Sequence, residues 1–393
     1  MDSWYHLPDG ITSMELATRQ LRLRFFDLET HIQSDSSTYI DIFAQMYRRF
    51  QVDDLSLPNQ TPVEFTVLTH SDNYWGKPIM IIDEQVWPLN DPRLLEGYVY
   101  ESVLNAILAR VRSHFLIHAG VVSRDGQGII LAADSTHGKT TLVLELVQRG
   151  FKFLSDEMAA LGRADRQVHP FPRSLRIRPG TLELAGFPET AAGAPTWLGK
   201  LLLDIEDIQP GSVGEPAPIS HIVILCDPAE GKEERPGNPE RELGVLVDHL
   251  DESLLTAIRQ LEDVSEVHTD TDRGYPLLVL RAVHRTAVLS QIEALCQERQ
   301  VLVLDVIKRV EGHPTFEVPA RLEAITTSQA VIELLRRFQG GHKSVLLQEE
   351  FGGSATRLFM ELTAIIGHAN YHQLFVGPLN EMADLVCSLV GVS

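Results

Sequence analysis

The sequence predicts an α/β protein built around a strand–loop–helix–strand unit, with a small α/β domain ahead of it and a β-α-β-β-α-β segment inserted behind it. Three observations carry the prediction. Around residues 128–157, two short apolar runs with β-branched and aromatic residues bracket a stretch of helical spacing that opens on glycine, lysine and threonine. Ahead of residue 90, strand-like alternation, helical spacing and two further apolar runs follow one another. Behind a charged linker containing proline and glycine, residues 242–311 read in the order of a split β-α-β repeat.

Taken in order, residues 18–27 alternate apolar and basic positions through Leu21, Leu23 and Phe25, as a half-exposed strand does, and residues 39–50 then carry apolar residues at helical spacing. Residues 62–68 and 78–83 read as two strands. The turn residues Ser71, Asp72, Asn73 and Gly76 between them predict a hairpin. Tyr74, Trp75 and Trp87 cluster there and read as the core of a small domain over residues 1–90 rather than as a binding face. Asp91-Pro92 opens a helix whose stripe of Leu94, Leu95, Tyr98, Leu104, Leu108 and Val111 leads into the strand that contains His118.

Ile129, Ile130 and Leu131 form the next strand, and Leu142, Leu146 and Val147 share one face of the helix after it. Between them lie Asp134, Ser135, Thr136, His137, Gly138, Lys139, Thr140 and Thr141. A helix starting at Lys139 points free N–H groups and its positive dipole end into this loop, and the lysine adds a full charge, so the loop attracts phosphate. The pattern G-x-x-x-x-G-K-[ST] is met at Gly138, Lys139 and Thr140, with Ala133 in place of the first glycine. The run 151–154 ends in Asp156 and Glu157. A parallel strand beside the loop strand would deliver both carboxylates to the phosphates, one to hold Mg²⁺ and one to take a proton.

The stretches Ile117-His118-Ala-Gly-Val-Val, Ala133-Asp-Ser-Thr-His-Gly-Lys-Thr, Leu144-Glu-Leu-Val-Gln-Arg-Gly150 and Leu154-Ser-Asp-Glu157 resemble the HPr kinase/phosphorylases and their kinase-only relatives. The resemblance implies a P-loop kinase domain of the HPr kinase C-terminal type, related to phosphoenolpyruvate carboxykinase, that uses ATP and Mg²⁺. It implies that Lys139 binds phosphate, that Thr140 and Asp156 hold the metal, and that Glu157 or Asp156 is the base, with His118 close by. Family members that phosphorylate a serine of a carrier protein, and kinase-only relatives in peptide natural-product biosynthesis, imply a Ser/Thr hydroxyl of a peptide or protein as acceptor, ahead of a small-molecule hydroxyl. A nucleotide-binding regulatory protein without catalysis is the reading from another class.

Downstream, Arg173, Arg176 and Arg178 share one face of an alternating strand and read either as an anion clamp or as a solvated face; the bifunctional family members carry a metal-binding glutamate in this neighbourhood. Residues 191–218 read as a loop around one short strand at 200–205, and residues 221–226 as a further central strand. In the insert, strands are expected at 243–247, 264–269, 276–282 and 301–308, with helices at 253–261 and 286–298. That makes residues 242–311 a ferredoxin-like subdomain between two parts of the kinase domain, 91–241 and 312–393. The last part carries helices at 328–338, at 354–366 with a Ser354 N-cap, and at 379–390.

At 393 residues and 44% hydrophobic content the chain has enough apolar sequence for two or three domains. Its formal charge of −20 argues against nucleic acid or an anionic membrane as a standing partner, and the absence of a signal-like start or a bilayer-length apolar run predicts a cytoplasmic protein. Three scattered cysteines, Cys226, Cys296 and Cys387, predict buried thiols rather than a zinc site. A homo-oligomer is compatible with all of this.

Overall fold

Four sheets organise residues 5–6, 19–53, 62–70, 76–82, 85–88, 103–133, 137–177, 195–197, 200–226, 241–272, 275–282, 284–301, 303–308, 318–339 and 344–391, which the computed structural model describes. The largest has eight strands. At its centre the loop strand Gln127–Ala132 lies between His114–Arg124, antiparallel to it, and Ala217–Cys226, parallel to it. Asn370–Phe375 continues the sheet in parallel, and Arg321–Ala324 closes that side as an antiparallel strand.

Period-two alternation on the central strands buries both faces. Ile129, Leu131, Val223 and Leu225 pack against the helices Lys139–Gln148 and Leu379–Leu389. Ile130, Ala132, Ile222 and Ile224 pack against Thr327–Arg336 and Ala355–Ile366. At the end of the sheet away from Lys139, Gln167–His169 pairs with both Met158–Gly162 and Ala217–Cys226, which closes five strands into a ring. Gly128 makes that closure possible: a Cβ there would lie 2.8 Å from Val168 Cγ1 and 3.0 Å from the Pro218 carbonyl.

One strand neighbour differs from the sequence expectation. The acid-bearing strand Lys152–Ser155 does not lie beside the loop strand; His114–Arg124 occupies that place, and Lys152–Ser155 runs antiparallel to it. The reason is the two-residue turn Asp125-Gly126, with φ of 49° and 75°, which folds His114–Arg124 and Gln127–Ala132 into a tight hairpin.

The N-terminal sheet has six strands in the order Tyr5–His6, Gln85–Pro88, Ile79–Ile82, Val63–Leu68, Leu28–Ser34 and Arg19–Phe25. The expected hairpin of Val63–Leu68 with Ile79–Ile82 is present, whereas Leu28–Ser34 had no strand signature in the sequence. Its Glu29, Thr30, His31, Gln33 and Ser34 are all buried and polar. The helix Ser37–Met46 stops ahead of its expected end and gives way to a 3₁₀ turn, Arg48–Phe50. Phe25, Phe43 and Tyr47 join Leu116, Met158, Phe171 and Leu202 in one core, so this sheet is packed onto the main one. Trp87 packs against that core; Tyr74 and Trp75 lie outside the described residues.

Residues 241–308 form an antiparallel sheet in the order Val264–Asp272, Tyr275–Ala282, Arg241–Val247, Val303–Lys308. The helices Glu252–Arg259 and Arg285–Glu298 lie between strands in the sequence, and Leu254, Ile258, Val288 and Ile292 share a core with Leu243, Val245, Leu278 and Leu280 that, among the described residues, draws on none from elsewhere in the chain. Leu175–Ile177, Thr196–Trp197 and Lys200–Leu203 make a small third sheet beside the N-terminal helix.

Candidate active site

Gly138 precedes the helix Lys139–Gln148 in the left-handed conformation, φ 75°, which a residue without a Cβ adopts freely. Its carbonyl accepts the Leu142 N–H at 2.8 Å, so the helix is formed from its first turn and its leading amides face the loop. His137 and Ala133 are buried, Ala133 in the core under the helix, and Thr140 and Thr141 are half-buried in the first turn. Asp134, Ser135 and Thr136 lie outside the described residues. The helix sits close on the histidine strand because residue 120 is glycine. A Cβ at Gly120 would meet Val143 Cγ2 at 2.7 Å and Lys139 Cγ at 3.3 Å.

Lys139 Nζ donates to His118 Nε2 at 2.8 Å. Burial pushes His118 down to about 3, helped by the positive charges of Lys139, Arg173 and Arg337. The ring is therefore neutral at pH 7. Its Nε2 serves as acceptor, which places the ring proton on Nδ1, 4.0 Å from Glu157 Oε1.

Asp156 and Glu157 interrupt one long strand rather than end a parallel one. Ser155 pairs with Val121 on one side of them and Met158 with His118 on the other. The Ser155 hydroxyl fixes the break by accepting from the N–H groups of Glu157 at 3.2 Å and Met158 at 2.8 Å. The two acids turn to different partners. Asp156 is buried, with Oδ2 3.4 Å from the Thr140 hydroxyl and with Oδ1 meeting no hydrogen-bond partner among the described residues. Glu157, a third exposed, forms an ion pair with the guanidinium of Arg173, which is almost fully buried.

Arg173 and Arg176 do not share a face. Arg173 precedes the strand Leu175–Ile177 and reaches Glu157, Arg176 on that strand lies over the Trp197 ring at 5.0 Å, and Arg178 lies outside the described residues. No cluster of three or more His, Cys, Asp or Glu side chains suited to a metal occurs among the described residues. The buried oxygen of Asp156 beside the Thr140 hydroxyl nevertheless fits a hard divalent cation. Such an ion at a phosphate site takes one or two protein oxygens and fills its remaining positions with water and phosphate.

The sequence reading missed two contributors. Gly120 had a signal, a glycine in a strand interior within the stretch that carries the resemblance. Arg337, whose carbonyl accepts the His118 N–H at 2.8 Å and whose charge faces the imidazole, had none.

No protein-family model matches the chain. Two curated proteins do, the HPr kinase/phosphorylases of Limosilactobacillus reuteri strain DSM 20016 and of L. reuteri subsp. reuteri strain JCM 1112. Each is 23% identical over 190 residues, covering 41% of this chain and 59% of the relative. The chain is HPr kinase-like. The similarity spans less than two thirds of the relatives' length. Among solved structures, the Hpr(Ser) kinase/phosphatase from Coxiella burnetii is 19% identical, covers 47% of this HPr kinase-like chain and 95% of that chain, and has a TM-score of 0.21.

Proposed function

We propose that this HPr kinase-like chain is an ATP- and Mg²⁺-dependent kinase that transfers the γ-phosphoryl group to a Ser/Thr hydroxyl of a peptide or protein. The observation that carries the reading is the convergence of Lys139, neutral His118, the Thr140–Asp156 pair and the Glu157–Arg173 pair on one helix N-terminus. Phosphoryl transfer asks for positioning and charge stabilisation rather than covalent participation by the protein, and these residue types supply both. The helix amides and Lys139 bind the β- and γ-phosphates, Lys139 turning from His118 to the incoming anion. Mg²⁺, held by Thr140 and Asp156, neutralises phosphate charge when bound.

The acceptor oxygen then attacks the γ-phosphorus, the β–γ bridging P–O bond breaks, ADP leaves, and the hydroxyl proton passes to a carboxylate. Glu157 suits that last role better than Asp156, because it is partly exposed while Asp156 is buried against Thr140. The relatives are named for a protein acceptor, which supports a protein or peptide here; a precursor peptide of natural-product biosynthesis falls within that class, and a small-molecule hydroxyl is the second choice. We assign the domains as residues 1–90, 91–241, a ferredoxin-like insert at 242–311, and 312–393. No described helix is long and apolar enough to cross a membrane, and the dependence on ATP suits the cytoplasm.

The test is incubation with γ-labelled ATP and Mg²⁺. Wild type should hydrolyse ATP slowly or label an acceptor, and Lys139→Ala should do neither while keeping its circular dichroism. Unchanged turnover in Lys139→Ala removes the assignment, and tight binding without turnover in wild type points to a regulatory nucleotide-binding protein.

A further inference from the structure

The N-terminal domain reaches the acidic pair through one short segment. Phe171 N–H donates to the Leu154 carbonyl at 2.8 Å, which fastens the segment beside the strand that leads to Asp156 and Glu157. Phe171 also lies against Phe50 and Phe25 of the N-terminal domain, with ring centroids 4.8 and 5.9 Å away. Two residues on, Arg173 pairs with Glu157. The next residue, Ser174, is almost completely buried and hangs from the end of the N-terminal helix: its N–H donates to the Met46 carbonyl at 2.8 Å and its hydroxyl to the Gln45 carbonyl at 2.7 Å. Those carbonyls belong to the last turn of Ser37–Met46, where a helix has no acceptor-satisfying N–H of its own.

A second clasp lies further along. Asp204, 2% exposed, follows the strand that pairs with Leu175–Ile177 and is held by Arg48 Nε at 2.7 Å and Arg49 Nη2 at 3.1 Å, both just past the same helix end. The helix terminus therefore grips the segment on both sides of its short sheet. Arg173 lies between the two anchors: Ser174 follows it directly, and across Pro172 its own N–H donates to the Phe171 carbonyl at 3.0 Å.

We propose that the N-terminal domain is a positioning element for phosphoryl transfer, with Ser174 as the positioning residue that, through Arg173, sets the orientation of the Glu157 carboxylate. The inference rests on the kinase reading for its catalytic consequence, but the mechanical link can be read without it. A carboxylate whose partner arginine is anchored on both sides in the chain keeps one direction. A displacement on the order of 1 Å at a reacting group can lower a rate by a factor of about 10².

The experiment uses the full chain in wild type, Ser174→Ala, Arg173→Lys and the double variant. Amide hydrogen exchange is followed at Ala119, Glu157 and Met158, whose N–H groups report the acidic break. Ser174→Ala should speed exchange at these three amides while the loop-helix amides stay protected. In Mg²⁺·ATP turnover it should lower kcat roughly 10-fold or more with KM for ATP unchanged, and its effect should be non-additive with that of Arg173→Lys. If Ser174→Ala does not fold, Arg48→Ala/Arg49→Ala, which loosens the outer clasp from partly exposed positions, should shift the same amides in the same direction. Unchanged exchange at these amides, or strictly additive effects on kcat, overturns the proposal. Altered exchange with no ATP turnover in wild type overturns the kinase reading and leaves the positioning link standing.

Discussion

Asp156 and Glu157 are neighbours in the chain and strangers in environment. One is buried against a threonine hydroxyl; the other is a third exposed and tied to an arginine. Asp156→Asn should therefore raise the Mg²⁺ concentration needed for half-maximal turnover, whereas Glu157→Gln should lower kcat by about 10²–10⁴ at saturating Mg²⁺, the range for a lost general base. Equal defects in both variants, measured across a Mg²⁺ titration, would remove the division of labour. His118 makes a prediction about pH. Its folded pKa of about 3 lies below the ordinary value of 6.5, so the unfolded chain binds the proton that the folded chain resists. This contribution to stability is complete above about pH 6.5 and is lost progressively as pH falls toward 3. His118→Gln should shrink the loss of unfolding free energy between about pH 7.5 and about pH 5 in denaturant titrations. Some loss should remain, because His114 on the same strand is pushed down to about 4 by burial and by its neighbour His169.

The loop helix and the histidine strand act as a pair of elements, and Gly120 sets the distance between them. Gly120→Ala places a methyl 2.7 Å from Val143 Cγ2, on a helix whose Leu142, Val143, Leu146 and Val147 are all buried, so the helix must shift rather than the side chain rotate away. We expect a loss of about 1–3 kcal/mol in unfolding free energy, as for overpacked cores, together with weaker nucleotide binding because Lys139 and Thr140 move with the helix. Isothermal titration with ATP·Mg²⁺ separates the two effects. Full affinity in a destabilised variant would show that the loop is set independently of the strand beneath it.

Across the whole molecule, the segment 241–308 has a core of its own, and its first and last strands are adjacent, with Leu243 opposite Lys308. Its two ends therefore leave the sheet side by side, and a short Gly/Ser linker can join the flanking chain. Replacing the segment in this way should preserve ATP affinity and slow background hydrolysis and raise the KM for a peptide acceptor, if the insert binds that acceptor. Insoluble protein would show instead that the segment supports the main sheet. The N-terminal sheet offers no such cut, because Phe25, Phe43 and Tyr47 share one core with Leu116 and Met158 of the main sheet and with Phe171 just beyond it.

By itself the sequence determined the local elements. Ile129–Leu131, the helix that begins at Lys139 and the Ser354 cap are found where periodicity and capping chemistry placed them, because each depends on residues a few positions apart. The β-α-β-β-α-β order of residues 241–308 was legible for the same reason. Leu28–Ser34 was not, since five of its seven side chains are polar and are buried only by pairing with Val63–Leu68 and by the core around it. Strand adjacency was decided by the tertiary structure: a two-residue turn placed His114–Arg124 between the loop strand and the acids. So was the environment of each acid, since Arg173, Thr140, His118 and Arg337 come from separate stretches of the chain and meet only when the sheet and its helices pack. Contacts of that kind depend on where elements lie in space, and a linear pattern of residue types carries no record of it.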